Sequence, residues 1–171
     1  MVSEADLSNV DLCILYYDLW TVQVPPEATT ALESFVRNGG GVLVVHNGIS
    51  LQSDPRFRRF IGAEFTTHPE RQKVLYAPVA EHAITQGIAA FELVEELYLF
   101  THYDIDRFTV LLQGRLKDEQ ANALWIRELG RGRLAYCAIG HDATSLSNPI
   151  VGRLLLNTAL WAVKGLCLSA K

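Results

Sequence analysis

The chain has 171 residues, 49% of them hydrophobic, and a formal net charge of −4. That length predicts one domain over 1–171, large enough to bury a core without disulfide or metal staples. The acidic balance, with no block of Lys or Arg, argues against a nucleic-acid surface, and the apolar runs are too short to cross a bilayer.

The first residues, Met1 to Asp6, lack a basic region followed by an apolar one, so no secretory signal is visible. Cys13, Cys137 and Cys167 are scattered, and no C-x-x-C motif occurs. Two of them lie in apolar, strand-like runs. This predicts buried thiols in a reducing, cytoplasmic compartment.

In chain order, Asp11 to Tyr17 reads as a buried strand. Pro25-Pro26 opens a helix that runs to about Asn38, with an apolar stripe at Leu32, Phe35 and Val36. Gly39-Gly40-Gly41 returns the chain into the strand Val42-Leu43-Val44-Val45, which ends at His46-Asn47-Gly48. Strand, helix, strand with a tight return is a βαβ unit. Asp54 to Gly62 is a short helix. Glu64 to His68, Lys73 to Val79 and Phe91 to Leu99 are strand candidates, with a loop at His82 to Gly87. Thr109 to Gln113 is another buried strand. Ala123 to Leu129 and Arg133 to Ile139 form a hairpin about Gly130-Arg131-Gly132, where glycine supplies positive φ. Asn148-Pro149 begins a last helix that runs to about Lys164 and stops at Gly165.

In open α/β sheets ligands sit beyond the carboxyl ends of the strands. The Val42–Val45 strand delivers a histidine to that place, where class I amidotransferases and related hydrolases carry a nucleophile. No Cys or Ser occupies this elbow, so amidotransferase-type nucleophilic catalysis is not expected. His46 and His141 project from one carboxyl edge if their strands are parallel. His68, His82 and Glu95 or Glu96 can close over them. Such a set suits either acid–base work or a zinc-type site; each histidine alone can equally cap a loop. Asp142 can orient His141 or cap the next turn. Tyr17 and Trp20 lie at a strand exit on the same edge, where aromatic faces can pack on a sugar ring.

Several segments, in order, resemble the ThuA-like (trehalose utilisation) family of the class I glutamine amidotransferase-like superfamily. They are Gly39-Gly40-Gly41 through His46, Ile61 to Phe65 with Thr67-His68-Pro69, and Glu81 to Gly87. They continue with Glu95 to Tyr98, Trp125-Ile126-Arg127 with Gly130 to Arg133, Ile139-Gly140-His141-Asp142, and Trp161-Ala162. The resemblance implies a three-layer, flavodoxin-like α/β fold with a mostly parallel sheet and an antiparallel hairpin at its edge. It also implies a strand and helix before Asp11, which the ten preceding residues cannot supply. The sheet is then short of its first strand, rearranged, or completed by a partner chain.

The function implied is carbohydrate metabolism: binding or transforming a sugar derivative such as a keto-sugar made by a partner oxidoreductase. His46, His141 and Glu96 are the expected catalytic residues. Tyr17, Trp20, Asn47, His68, His82 and Asp142 are the expected substrate contacts. His46, His68 and His141 are the expected ligands if a divalent metal such as zinc is held. A catalytically silent binding or assembly subunit and a metal-dependent hydrolase are the alternatives. The largely apolar last helix predicts a homo-oligomer.

Overall fold

The computed structural model describes residues 2–164. Gly165 and Cys167 lie outside the described residues. The chain begins with a capped turn of helix, α1 (Glu4–Leu7), followed by strand β1 (Leu12–Leu15). Helix α2 (Pro26–Arg37) starts where proline needs no backbone donor, and ends at Asn38 with Gly39 at φ 117°. Strand β2 (Gly41–Val45) follows, every residue buried, and runs into a 3-10 stretch over His46–Ser53. Helix α3 (Pro55–Ile61) is capped by Asp54 and closed by Gly62 in the left-handed region.

Then come strands β3 (Ala63–Thr67), β4 (Gln72–Pro78), β5 (Phe91–Glu95) and β6 (Leu99–His102). Strands β7 (Thr109–Leu116), β8 (Glu119–Leu129) and β9 (Gly132–Cys137) are joined by tight turns. The short helix α4 (Ala143–Leu146) precedes α5 (Pro149–Ala162), whose cap is Asn148.

The main sheet has seven strands in the order β1-β2-β9-β8-β7-β4-β5, and β3 and β6 form a separate antiparallel pair. The expected mostly parallel sheet is corrected to a mixed one. Only β1/β2 and β2/β9 pair in parallel; β9/β8, β8/β7, β7/β4 and β4/β5 are antiparallel. Continuous apolar runs such as Thr109–Gln113 mark burial but carry no strand direction. The turn at Lys117-Asp118, with Lys117 at φ 53°, makes a second hairpin that composition did not signal. The β8–β9 hairpin is also central, not at the edge, since β9 pairs with both β2 and β8. Strand β1 is not buried as expected. Among the described residues it pairs only with β2, and Ile14 is 53% exposed.

Side chains of β2 and β9 alternate between two cores. Val42, Val44, Leu134 and Tyr136 join Leu32 and Val36 of α2 on one face. Leu43, Val45, Ala135 and Cys137 join Val151, Leu154 and Trp161 of α5 on the other. Two helices thus cover opposite faces of the parallel strands, and each fully buried Leu or Val there contributes about 1.5–3 kcal/mol. Trp125, fully buried on β8, donates its indole N–H to the Ile61 carbonyl at 2.8 Å and ties α3 to the sheet. These contacts hold the exits of β2 and β9 side by side.

Candidate functional site

The continuous Val and Leu run of β2 ends at His46, whose φ is 44°. A left-handed backbone costs a non-glycine residue energy, and such strain gathers at functional positions. It turns the His46 ring inward, where it is 0% exposed and stacked on Tyr98 at 4.3 Å. The ring Nδ1 lies 2.8 Å from the Ala138 carbonyl just beyond β9. A carbonyl can only accept, so Nδ1 carries the proton and donates it. The lone pair is therefore on Nε2. Gly48 lets this turn sit against β1: a Cβ there would lie 2.3 Å from the Leu15 carbonyl oxygen.

Strand β9 passes through Gly140, at φ 142°, to His141. Strand β5 ends at Glu95, and Glu96 follows. The expected single strand from Phe91 to Leu99 is broken here into β5 and β6, in different sheets, and the break presents Glu96 to the histidines. One Glu96 oxygen, Oε2, lies 3.6 Å from His46 Nε2 and 3.1 Å from His141 Nδ1. The other, Oε1, lies 3.8 Å from His68 Nε2. The rings of His46 and His141 meet edge to face at 5.5 Å.

His46 Nε2 and His141 Nδ1 are both buried without a hydrogen-bond partner. They are close to the carboxylate but not aligned as hydrogen bonds to it. An orphaned buried polar atom is costly and requires an explanation. Burial lowers the His46 pKa below its ordinary value, against the pull of the Ala138 bond and the nearby carboxylates, which favours the neutral, lone-pair-bearing form. Tyr98 has its pKa raised, first by burial and then by Glu96, so its phenol stays protonated; it meets Asn47 Oδ1 at 2.6 Å. That contact leaves the Asn47 amide N–H groups free to donate. Among the described residues no Lys or Arg pairs with Glu95 or Glu96, so the cluster carries uncompensated negative charge.

Donor atoms of His46, Glu96 and His141 all lie within 4.8 Å of one another. His68, expected beside His46 and His141, lies outside this group and meets only the second oxygen of Glu96. Two imidazoles and one carboxylate with an open position is a known catalytic zinc arrangement, and the Nδ1–H bond of His46 is the usual outer support of a ligating histidine.

The other expected contacts are dispersed. His82 lies near Trp161, ring centres 6.0 Å apart, and Arg133 also bonds the Trp161 carbonyl. Arg133 pairs with Gly41, the first residue of β2, whereas His46 follows the last. His82 is therefore at the opposite end of these strands, because its loop is fastened to α5 through Asn157 and Arg153. Asp142 caps α4 through the Ser145 N–H and pairs with Arg71 at 2.7 Å, so it fixes a turn and does not orient His141. Trp20 is 38% exposed and packs on Phe65 at 5.0 Å; Phe65 packs on Tyr98 at 4.4 Å, which makes an aromatic wall leading out from the cluster. Tyr17 instead lines a cavity of about 530 Å³ with Leu19, Ala28, Leu32 and Leu51 on the α2 side.

From the sequence Glu95 and Glu96 stand as alternatives for one place over the histidines, whereas the structure uses both; Arg71 is not among the expected site residues. The adjacent Glu95-Glu96 pair carried a partial signal, but two neighbours turn inward together only because the strand ends between them. Arg71 had no signal.

The profile of the ThuA family, described as trehalose utilisation, matches residues 1–162. A ThuA-like protein from Bacteroides uniformis ATCC 8492 is 21% identical with a TM-score of 0.74, over 94% of this chain and 72% of that one. Another from Parabacteroides merdae ATCC 43184 is 18% identical with a TM-score of 0.77, over 97% and 75%. A cytoplasmic protein from Salmonella typhimurium is 15% identical with a TM-score of 0.66, over 94% and 74%. At these identities the likeness carries the fold alone. No match is found among curated proteins. No helix among the described residues is long and apolar enough to cross a membrane.

Proposed function

The chain belongs to the ThuA, trehalose utilisation, family, and from that premise we propose that it binds a sugar derivative over a divalent metal held by His46, Glu96 and His141. The observation that carries the reading is the pair of buried, partnerless ring nitrogens, His46 Nε2 and His141 Nδ1, facing one carboxylate oxygen. A zinc-type ion fits that donor set: two neutral imidazoles, one carboxylate and surplus negative charge. When bound, such an ion supplies Lewis-acid polarisation of a ligand oxygen.

The chain's own residues do the rest. Tyr98 shields the His46 ring and orients Asn47, whose amide N–H groups donate to a sugar hydroxyl or carbonyl. His68, at the rim beside Glu96 and stacked on Tyr98 at 5.6 Å, can take or give a proton there. Phe65 and Trp20 offer apolar faces to ring C–H groups. The two covered faces of the parallel strands agree with a flavodoxin-like layering. The cytoplasmic setting, a partner oxidoreductase as the source of a keto-sugar, and self-association through Leu156 and Leu160 of α5 belong to the same reading; both leucines are exposed.

The test is calorimetric. Zinc titrated into chelator-stripped protein binds once per chain, and His141→Ala abolishes the heat. Mono- and disaccharides and their oxidised derivatives are then titrated into the zinc-loaded protein. Zinc binding without sugar binding removes the sugar half of the proposal, and absence of zinc binding removes the metal half. A metal-free acid–base site is the second reading. It is favoured by the 3.1 Å approach of Glu96 to His141, near enough that a small turn of the ring would make the carboxylate–imidazole hydrogen bond that proton transfer needs.

A further inference from the structure

We propose that Glu95, not itself a ligand, is the positioning residue that sets His141 against Glu96; the inference rests on the metal reading above. Strand alternation at the end of β5 turns Glu95 inward, and it is 0% exposed. A lone buried carboxylate is expensive unless its oxygens are satisfied. Here every bond goes to backbone. Oε1 accepts the Glu96 N–H at 3.2 Å, and Oε2 accepts the N–H groups of Gly140 at 3.2 Å and His141 at 3.4 Å.

Those three donors belong to two of the metal-set residues and to the glycine between β9 and His141. One carboxylate thus clamps the exit of β5 to the exit of β9. It bridges two chain segments 45 residues apart, the segments whose side chains meet at 3.1 Å. The clamped turn cannot be held by ordinary extended backbone, since Gly140 has φ 142°. Its carbonyl is held from the other side by the Tyr16 hydroxyl at 2.9 Å. The Gly140 residue is therefore fixed at both its N–H and its C=O. For stability alone, an apolar residue packed against this core would be the cheaper solution. The buried charge buys geometry.

The test uses the whole chain, with Glu95→Gln and Glu95→Ala, and two readouts. The first is amide hydrogen exchange of Gly140 and His141 in metal-free protein, followed by NMR. In Glu95→Ala these two amides lose protection while the β9 amides that bond β2 and β8 keep theirs. The second is affinity for Co²⁺ with the visible spectrum of the complex. Loss of an outer support typically weakens metal binding about 10–100-fold, and Glu95→Ala should fall in that range with a shifted band. Glu95→Gln keeps one acceptor oxygen and recovers part of both signals. It also carries the test if the alanine variant does not fold. Unchanged exchange at Gly140 and His141 in either folded variant overturns the proposal, as does unchanged Co²⁺ affinity. A wild-type protein that binds no Co²⁺ overturns the metal reading instead, and the exchange data still judge Glu95.

Discussion

Replacing Glu96 by Gln should separate the cost of the site from its use. The substitution keeps shape, removes the one carboxylate of the donor set and places an amide where Oε2 stands. That oxygen lies 3.6 Å from His46 Nε2 and 3.1 Å from His141 Nδ1, both without hydrogen-bond partners. An amide N–H can donate to a lone pair where a carboxylate cannot. A shift of about half an ångström would bring it within hydrogen-bond reach of His46. One such bond contributes about 0.5–1.5 kcal/mol. In a chain of this length each kcal/mol moves the melting temperature by about 2–4 °C. With chelator present, Glu96→Gln should therefore melt level with wild type or a few degrees above it.

With zinc the order should reverse. A ligand at 100 times its Kd stabilises the folded state by about 2.7 kcal/mol, or roughly 5–11 °C here. Wild type should show that rise, and Glu96→Gln should show little of it. Circular dichroism melts with chelator and with zinc read both effects. A full zinc shift in the variant would refute the role given to Glu96. So would a variant that loses several kcal/mol in chelator, because the carboxylate would then be a structural element.

Three further outcomes follow from the same geometry. Gly48→Ala sets a Cβ 2.3 Å from the Leu15 carbonyl oxygen and must push the His46–Ser53 stretch off β1; a loss of about 1–3 kcal/mol, read by urea denaturation, should accompany weaker zinc binding, and wild-type stability would contradict the close approach. Burial lowers the pKa of His82 and of His102 below the ordinary 6.5. The folded chain therefore resists a proton that the unfolded chain accepts. Their contribution is complete above pH 6.5 and is lost as pH falls through the folded values, so the melting temperature should drop from pH 7.5 to pH 5.5, less steeply in His82→Asn. A flat profile would remove this account. In sedimentation at micromolar concentration the chain should run larger than 19.0 kDa, and Leu156→Glu with Leu160→Glu should return it to monomer; a monomeric wild type would count against self-association.

Much of this architecture was legible because it follows local rules. Pro25-Pro26 and Asn148-Pro149 announced two helix starts, and the Val42–Val45 run announced an apolar strand with His46 at its end. The convergence of His46, Glu96, His141 and His68 was legible through strand ends and the resemblance. Strand direction was not, because apolar runs look alike parallel or antiparallel; four of six pairings in the main sheet proved antiparallel. His82 was misplaced because its loop hangs on α5 through Asn157 and Arg153, contacts 73 and 67 residues distant in sequence. The Glu95 clamp was hidden because its partners are backbone amides, which every sequence has.

The most direct measurement is the metal content of freshly purified, untagged protein by elemental mass spectrometry. About one equivalent of zinc or another transition metal per chain, falling to background in His46→Ala while circular dichroism stays folded, is the result this account predicts. Wild-type protein without metal, even after incubation with zinc and desalting, would contradict it and leave the three histidines and Glu96 as a proton-transfer cluster.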